Sequence, residues 1–396
     1  MKMKRVYAGL VLICLLLVTS CNESAKEISQ SMDMTEWLEK AGLNHEETRE
    51  ELYRLALSEN TLVVYSNSSR VFDVKRSFEA EYPGLTVEIA DIRSDDIVRK
   101  LQDNYKSRNY VCDVVINSDN DASLTYDLLH KGMIYQYVPW DIKDKVWEDH
   151  RKDHLMFMGE AQMLFYNTEI YEKCPVSNWW ELTEEQYKGK VYMPNPLQSF
   201  STFGLLMMVV KESDAMAQAY LDLYGKVLDI PEGSSAGEVF LERLIKNAIL
   251  TNTSDEVTEF VGSPGQVDPP FGIMISSKVR MSKVGYKISP AFDIHPFAGI
   301  YGPNCIMMAG GAKNIHSAKL FIRWVLGETD GTGEGALPFR TEGTWSARTD
   351  IESGTQRPLS DIHFLQLDKA YIFSRKEKFK TTWLSLLEKS ALPEEQ

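Results

Sequence analysis

The chain has 396 residues, a formal net charge of −14 and 43% hydrophobic residues. This acidic balance argues against general nucleic-acid binding, which depends on clustered Lys and Arg side chains. The length is too great for one small core and suits a protein of two lobes.

The first twenty residues have the features of a bacterial export signal. Lys2, Lys4 and Arg5 precede the apolar run AGLVLICLLLV, which is too short for a typical membrane span. The run ends in VTSC, which looks like a lipobox, so Cys21 is the predicted lipidation site. We expect a lipoprotein signal peptide over 1–20 and an exported protein held at the periplasmic or outer face of the cell membrane. A plain cleaved signal or a membrane anchor is the alternative.

Residues 21–58 are predicted to contain a tether and an N-terminal helix. The segment NESAKEISQSMDM is polar and poor in large aliphatic side chains, as flexible tethers are. The stretch from Asn44 to Glu59 predicts a helix with Asn44 as its cap. No second long apolar run follows, so the remainder is predicted to be soluble.

Strands and helices alternate after this segment. The run LVVY predicts a strand, SNSSR a polar turn, and Val71, Val74 and Phe78 the apolar face of a helix. LTVEIADIRS and SDDIVRKLQDNY repeat the pattern, and CDVVINSDND followed by ASLTYDLLHKG repeats it again. The alternation predicts an α/β fold with a parallel sheet. Ligands of such sheets bind at the carboxyl ends of the strands, where both SNSSR and NSDND lie.

The middle of the chain follows the same logic less regularly. AQMLFYNTEIY predicts a strand and a turn, and NWWELTEEQYKGKVYMPNP predicts a helix, a turn and a strand. LQSFSTFGLLMMVVK is a polar turn that leads into an apolar helix. FGIMI predicts a buried strand, and NIHSAKLFIRWVLGE predicts an amphipathic helix.

Cysteine and histidine spacing gives little sign of a metal site. Cys112, Cys174 and Cys305 are far apart and contain no CxxC, so a disulfide framework or a zinc site is not expected. One disulfide or buried free thiols both stay open. His150 and His154 have ligand spacing on a helix, but their stretch is charged throughout, so a solvated face is the favoured interpretation.

A G-x-S-x-G pattern occurs once, as GSSAG from Gly233 to Gly237. A hydrolase nucleophile in this pattern needs a strand that ends directly in the turn. The preceding DIPE predicts a loop, so a surface hydrolase with Ser235 as its nucleophile is only a remote alternative.

Six segments together carry a family resemblance. They are LVVYSNSS, CDVVINSD, LFYNTEIY, NWWELTEEQYKGKVYMPNP, AGGAKNIHSAKLFIRWVLG and TEGTWSARTDI. In this order, and with the lipobox, the chain resembles bacterial extracellular solute-binding proteins of ABC importers. These are type II periplasmic binding proteins, and the resemblance is to the branch with ferric-iron- and phosphonate-binding members.

The resemblance implies a two-lobed α/β fold with two hinge-crossing strands and a ligand cleft between the lobes. We place the crossings near 156–166 and 294–308. Lobe 1 would comprise 59–157 plus 299–396, and lobe 2 would comprise 158–298.

The implied function is that of a membrane-anchored extracytoplasmic receptor. It would bind a small polar, anionic solute between the lobes and deliver it to the membrane subunits of an ABC permease. We expect a monomer without catalytic activity, cofactor or bound nucleic acid.

Candidate ligand-binding residues lie on polar turns at helix N-termini, where free N–H groups favour anions. Helix capping is the alternative role for the serines and for Asp119. Whether Arg70 faces solute or solvent is left open. The predicted set is Ser66, Asn67, Ser68, Ser69, Arg70, Asn117, Ser118, Asp119, Ser199, Ser201, Thr202, Ser276 and Ser277.

An Fe(III)-binding receptor is the alternative within the family. The iron-binding relatives carry adjacent tyrosine ligands where this chain has Ser276 and Ser277. Ferric iron prefers phenolate and carboxylate ligands, and serine hydroxyls replace them poorly. Only scattered residues such as Tyr286 and Tyr301 are available instead, so no metal ligands are predicted.

Overall fold

Two long antiparallel strands, Met156–Asn167 and Gly299–Ala309, form the centre of one mixed sheet. The computed structural model describes residues 34–355 and 357–390. The predicted signal peptide, the lipidation site Cys21 and the predicted tether up to residue 33 lie outside the described residues.

Twelve strands of the described chain belong to this sheet. They are β1 Leu62–Ser66, β2 Val87–Asp91, β3 Val114–Ser118, β4 Ile134–Tyr135, β5 Met156–Asn167, β6 Val191–Pro194, β7 Ala248–Thr251, β8 Phe271–Ile275, β9 Ile288–Pro290, β10 Gly299–Ala309, β11 Trp345–Ser346 and β12 Phe364–Leu365. The main order is β2-β1-β3-β10-β5-β8-β6-β7, with β4 and β12 on β10 and β9 and β11 on β5.

The order divides the sheet into two parallel groups. On one side β1 pairs in parallel with β2 and β3, and on the other β6 pairs in parallel with β7 and β8. We call the part around the first group the first lobe and the part around the second group the second lobe. Only β5 and β10 connect the groups along the main order, through antiparallel pairing with each other.

The two central strands have the register that a hinge requires. Residues 304–308 of β10 pair with β3, while residues 299–305 pair with β5. Residues 162–165 of β5 pair with β8. One half of each central strand therefore pairs with a strand of one lobe, and the other half pairs with the other central strand. These changes of partner lie near the predicted crossings.

Ten α-helices occur in the described ranges. They are α1 (residues 34–41), α2 Arg49–Ala56, α3 Val71–Glu81, α4 Ser94–Ser107, α5 Phe200–Lys211, α6 Ser213–Tyr224, α7 Ala236–Asn247, α8 Ser254–Gly262, α9 Ile315–Val325 and α10 Lys369–Ser390. Helix α1 belongs to a unit of residues 1–45 that is separate from the unit of residues 46–396. Among the described helices, none has the length and apolar content needed to cross a membrane.

Each lobe has an apolar core. The first lobe buries side chains of β1, β3, α4 and β10, including Tyr65, Ile97 and Val115. The second buries a larger cluster around Trp179 and Trp180, into which helices α5, α6 and α7 pack. The clean strand–helix alternation thus yields the predicted α/β architecture.

Two local predictions were wrong in detail. Helix α2 begins after Thr48, not Asn44, because the Thr48 hydroxyl accepts from the Glu51 N–H and the Glu51 carboxylate accepts from the Thr48 N–H. NWWELTEEQY forms two short 3-10 helices, Trp179–Thr183 and Glu185–Tyr187, where an α-helix was expected. There the two buried indoles determine the backbone path, because each donates to a main-chain carbonyl elsewhere in the core.

The third predicted helix is a π-helix, Leu124–Leu129. Its preceding turn is constrained, because Ala122 has a left-handed φ of 64°. The Asp119 carboxylate accepts from both the Thr125 N–H and the Thr125 hydroxyl. These bonds from Asp119, which precedes the π-helix, fix its first turn. The local sequence pattern did not predict this interaction.

Helix α10 packs against the second lobe, whereas it was predicted to belong to the first lobe. Residues 299–396 were assigned to lobe 1, but Ile372, Phe379 and Trp383 of α10 are buried in the second-lobe cluster. Phe379 meets Phe203 of α5 edge-on, with ring centroids 5.0 Å apart. The other lobe boundaries stay a prediction.

The structure shows the state of three cysteines and the positions of His150 and His154. Cys112 and Cys305 are buried free thiols, and Cys174 is a half-buried free thiol. His150 ends up in the 3-10 helix Glu148–Arg151, while His154 lies beyond it and is buried. The two imidazoles therefore do not share a helix face, and the solvated-face interpretation was wrong for His154.

A buried carboxylate, Asp113, joins the first-lobe strands to helix α9. It accepts from the N–H groups of Val63, Lys313 and Asn314 at 3.0, 2.8 and 3.1 Å, and from the Asn314 amide at 2.8 Å. The side chain is 2% exposed. One acidic group thereby satisfies four donors from two elements that meet at the lobe's edge.

We expect Asp113→Asn to destabilise the protein by about 2 kcal/mol, because an amide nitrogen would face donors that now have an acceptor. The urea midpoint of circular dichroism would report the change. Asp268→Asn, which alters an exposed carboxylate paired with Lys190, is the matched control. Equal midpoints for the two variants would contradict the assignment of Asp113 as a structural hub.

Candidate functional site

A polar cavity with about 470 Å³ of atom-free space lies where the lobes meet. It is lined from the first lobe by residues that follow β1 and β3, from the second by the start of α5, and along its floor by β5 and β10. Five predicted residues line it, namely Asn67, Ser68, Arg70, Ser118 and Ser201. Seven further lining residues were missed, namely Asn120, Glu160, Ala161, Gln162, Ile275, Gly302 and Asn304.

An ion pair between Arg70 and Glu160 lies at the centre of this cleft. The Arg70 Nη2 donates to Glu160 Oε1 at 2.7 Å, and the two side chains are 12% and 9% exposed. Arg70 precedes α3 and also lies 5.2 Å over the ring of Phe339. The guanidinium thus faces the cleft, which answers the question that the sequence left open.

Glu160 collects partners from both lobes. The Asn304 amide donates to its second oxygen at 3.1 Å, and Ser277 and the positive charge of Arg280 also act on the carboxylate. Burial alone would raise the pKa of Glu160, but the charge of Arg70 and these hydrogen bonds outweigh burial and hold the pKa below its ordinary value. The carboxylate is therefore charged at neutral pH.

The turn after β1 is held by its own side chains. The Ser66 hydroxyl accepts from the Ser68 N–H at 3.0 Å and donates to the Ser68 carbonyl at 3.1 Å. The Asn67 amide donates to the Ser94 hydroxyl at 3.0 Å. Ser66 therefore shapes the turn from a buried position, while Ser69 is exposed and outside the cavity lining. No side chain caps α3, so the capping alternative does not apply.

The end of β3 and the turn after it divide between cavity and core. Ser118 lines the cavity, whereas the buried Asn117 amide donates to the Ser94 carbonyl at 3.2 Å. The Asp119 carboxylate points away from the cavity lining, towards His154 at 2.9 Å and Lys369 at 3.1 Å. Burial would raise the pKa of Asp119, but these two partners lower it on balance. Asn117 and Asp119 thus support the turn and do not line the cavity.

Asn120 crosses the cleft. Its Nδ2 donates to the Ser201 hydroxyl at 3.1 Å, so a first-lobe turn touches the N-terminal turn of α5. Two glycines permit this approach, because a Cβ at Gly302 would lie 2.1 Å from Asn120 Oδ1 and one at Gly204 would lie 2.7 Å from its carbonyl oxygen. The Asn120 Oδ1 atom is buried and has no hydrogen-bond partner among the described residues.

Gln162 presents a second unsatisfied acceptor. Its amide nitrogen donates to the Thr202 hydroxyl at 3.0 Å and to the Ile273 carbonyl at 3.3 Å, which fixes the orientation of the amide. Its Oε1 is buried without a partner. Ser199 caps α5 by accepting from the Thr202 N–H. Ser199 and Thr202 therefore contribute through the helix cap and through Gln162, and the cavity lining does not include them.

Ser276 and Ser277 lie behind the cleft wall and are fully buried. The Ser276 hydroxyl accepts from the Ala161 N–H at 2.9 Å and donates to the Gly343 carbonyl at 2.5 Å. Ser277 does not line the cavity and acts on the site through Glu160, whose pKa it helps to lower. Ser276 attaches the start of the 3-10 helix Ser276–Val284, which follows β8, to β5, and the two serines are not arranged as metal ligands.

One pattern in the sequence could have predicted that β5 contributes Glu160 and Gln162 to the site. Glu160 and Gln162 are two apart within the apolar strand MFMGEAQMLFYN, so both side chains point to the same face of β5. Two polar residues with this spacing in a fully buried strand indicate a polar site on that face. Asn304, in the facing strand β10, shares it.

Within residues 34–355 and 357–390, no group of three or more His, Cys, Asp or Glu side chains is arranged to hold a metal ion. Tyr286 and Tyr301 do not line the cavity. Ser235 caps helix α7 by accepting from the Glu238 N–H, so it does not sit on the strand-to-helix turn of a hydrolase nucleophile.

Comparison with known proteins is consistent with this geometry. Residues 74–353 match the model of a family described as bacterial extracellular solute-binding protein. A search of curated proteins finds no match.

Solved structures share the fold at low sequence identity. Iron-bound HitA from Pseudomonas aeruginosa is similar at a TM-score of 0.60 and 15% identity, over 84% of this chain and 99% of that chain. AfuA from Actinobacillus pleuropneumoniae with fructose-6-phosphate gives 0.60 and 15%, over 83% and 98%. AgtB from A. tumefaciens R10 with agropinic acid gives 0.59 and 14%, over 83% and 98%. The predicted two-lobed α/β fold is confirmed.

We expect Glu160→Gln to lower the free energy of unfolding by about 3 kcal/mol at pH 7, because Arg70 would stay buried without its counter-charge. The folded pKa of Glu160 lies below the ordinary value of 4.5, so its contribution is present above pH 4.5 and is lost as the pH falls through the folded pKa. Thermal melts from pH 3 to pH 7 should therefore show the wild type and variant converging in acid.

Glu185→Gln, at a carboxylate that is 84% exposed, is the control and should leave the melting temperature within a degree or so of the wild type. A gap between wild type and Glu160→Gln that stays constant from pH 3 to pH 7 would show that the ion pair is not its cause.

Proposed function

We propose that this chain, which belongs to the bacterial extracellular solute-binding protein family, is the solute receptor of an ABC importer. It would bind one small polar solute in the cleft around Arg70 and Glu160 and deliver it to the membrane permease. The observation that carries the proposal is that polar groups of both lobes and of both central strands converge on one cavity. A cleft between two lobes is where closure can enclose a small molecule.

The charges around the cavity favour an anionic solute. Two guanidinium groups, Arg70 and Arg280, lie near Glu160, which is the one carboxylate among the residues that line the cavity. Burial lowers the pKa of Arg280, and the positive charge of Arg70 lowers it further, so the two cations repel one another. A solute with one negative charge would compensate the second cation and would relieve this repulsion.

The unsatisfied acceptors favour a solute that also donates hydrogen bonds. Asn120 Oδ1 and Gln162 Oε1 are buried and without partners, and a buried acceptor left unsatisfied costs about 1–3 kcal/mol. Small rearrangements on closure would let hydroxyl or N–H groups of a solute pair with them. A hydroxylated organic anion meets both requirements, and the fructose-6-phosphate of the AfuA structure is an example of this chemistry.

The Fe(III) alternative draws on similar folds, since iron is named for HitA. The cavity lining of this chain offers amides, hydroxyls and one carboxylate that Arg70 already neutralises. A hard trivalent cation prefers several anionic oxygens and disfavours two nearby guanidinium groups. The organic anion is therefore the better-supported solute.

Export and anchoring complete the proposal. The basic leader, its apolar run and the VTSC sequence support a lipoprotein whose Cys21 carries the acyl chains. An anchored receptor would stay close to its permease. We propose that it works there as a monomer.

Isothermal titration against gluconate, glycerol 3-phosphate, glucose 6-phosphate, phosphonoacetate, spermidine and ferric citrate tests the solute class. We expect saturable 1:1 binding of a hydroxylated anion and none of spermidine. Gln162→Leu should weaken that binding about tenfold through the lost acceptor. Gln186→Leu, on an exposed amide, is the control. Binding of ferric citrate or spermidine alone would refute the proposed class, and ferric binding with an orange-red absorption band would favour the iron alternative.

Membrane fractionation tests the anchor. With Cys21→Ser, the protein should move from the membrane fraction to the soluble exported fraction, because no acyl chain can be attached. Cys174→Ser, at a half-buried thiol of the described chain, should leave the distribution unchanged. Unchanged membrane association of Cys21→Ser would show that the leader is not a lipoprotein signal.

A further inference from the structure

Helix α10 is fixed to the second lobe by one of its faces. Ile372, Phe379 and Trp383 are buried in the second-lobe core, with exposed fractions of 0%, 8% and 1%. The rings of Phe379 and Trp383 are stacked, with an interplanar angle of 11° and centroids 6.2 Å apart. Because three large apolar side chains anchor it, the helix is expected to move with this lobe.

Charged side chains of α10 reach the first lobe. Lys369 Nζ lies 3.1 Å from Asp119 Oδ2 and 3.3 Å from the Thr125 hydroxyl. About two turns further along, or seven residues, Lys376 Nζ lies 2.6 Å from Asp127 Oδ2. The carboxylates are 0% and 18% exposed and the lysines 21% and 14%, so both pairs are largely shielded from water.

An aromatic contact lies between the two ion pairs. Tyr126 and Phe373 stack with centroids 4.4 Å apart and an interplanar angle of 19°. Tyr126 belongs to the π-helix Leu124–Leu129, and Phe373 belongs to α10. The three contacts form one continuous strip along the N-terminal half of α10.

The partner segment of this strip belongs to the first lobe. Leu124 and Leu128 of the π-helix are buried in the first-lobe core with Tyr65 and Val115. The strip therefore joins α10 to a π-helix that packs into the first-lobe core through Leu124 and Leu128, while Tyr126 of the same π-helix packs against the second-lobe cluster. Along the sheet's main order the two lobes are joined by β5 and β10.

The Asp119 end of the strip is the more heavily bonded. The carboxylate also accepts from Thr125 and pairs with His154, whose Nε2 lies 2.7 Å from Lys369 Nζ. Three groups thus converge on one buried carboxylate. Lys369 is the only one of these that comes from α10 and would leave if the lobes separated.

We propose that α10 is a strap that holds the lobes together and sets the affinity of the cleft, with Lys369 and Lys376 as its first-lobe contacts. The inference rests on the proposed receptor function and concerns the regulation of the same site. Contacts that exist only in the closed state raise its population in proportion to their free energy. Opening breaks the two ion pairs and the aromatic stack, while the apolar anchor of α10 stays with the second lobe.

Electron–electron distance measurements test the strap without any solute. Spin labels at Lys100→Cys on α4 and Lys246→Cys on α7, in a Cys174→Ser background, report the separation of the lobes, since both positions are exposed. We expect Lys369→Met with Lys376→Met to raise the ratio of open to closed molecules about tenfold, which corresponds to the loss of roughly 1.4 kcal/mol.

Lys380→Met is the matched control, because this α10 lysine pairs within its own helix with Glu377. Asp127→Asn removes a strap contact from the first-lobe side and should shift the distances in the same direction, which guards against misfolding of the double variant. Distance distributions that are identical for wild type, the double variant and Asp127→Asn would overturn the strap. They would leave the receptor function intact, since that fails only if the cleft binds no solute in the titrations.

Discussion

The buried carboxylate of Glu160 constrains the whole site. It lies on β5, a strand shared by both lobes, and a charge in that position is stable only with compensating partners. Arg70 supplies one from the first lobe, while Ser277 and Arg280 supply others from the second. The buried carboxylate therefore requires the polar turn after β1 and the segment after β8 to approach the same point, which lies where the two lobes meet.

Binding and closure are therefore expected to use the same kinds of contact. Asn120 meets Ser201 across the cavity, and Lys369 meets Asp119 just behind it. Residues 117–120 thus have two roles. Ser118 and Asn120 line the cavity, whereas Asn117 and Asp119 form hydrogen bonds and ion pairs that hold this segment in place. This division explains why one short turn is so rich in polar side chains although few of them can touch a solute.

Much of the fold followed from sequence, because strand–helix alternation is a local pattern. The positions of the crossings were not read from a local pattern: the family resemblance implied them near 156–166 and 294–308, where β5 and β10 lie. The orientation of turn side chains was not local. Asp119 was predicted to bind solute, but His154, 35 residues away, and the distant Lys369 hold it towards the core. Glu160 and Gln162 were overlooked because their strand was analysed as a crossing and not for its polar face. Helix α10 was misassigned because chain order suggested the first lobe, whereas its buried aromatic side chains belong to the second.

Native mass spectrometry of the purified protein, incubated with a small-molecule extract of bacterial cells, would identify the solute that the cleft binds. We expect a single 1:1 adduct with the mass of a small hydroxylated organic anion, which Gln162→Leu reduces and Gln186→Leu leaves unchanged. An adduct with the mass of a ferric ion, or one that is indifferent to Gln162, would contradict the assignment of this cleft as the site of an organic anion.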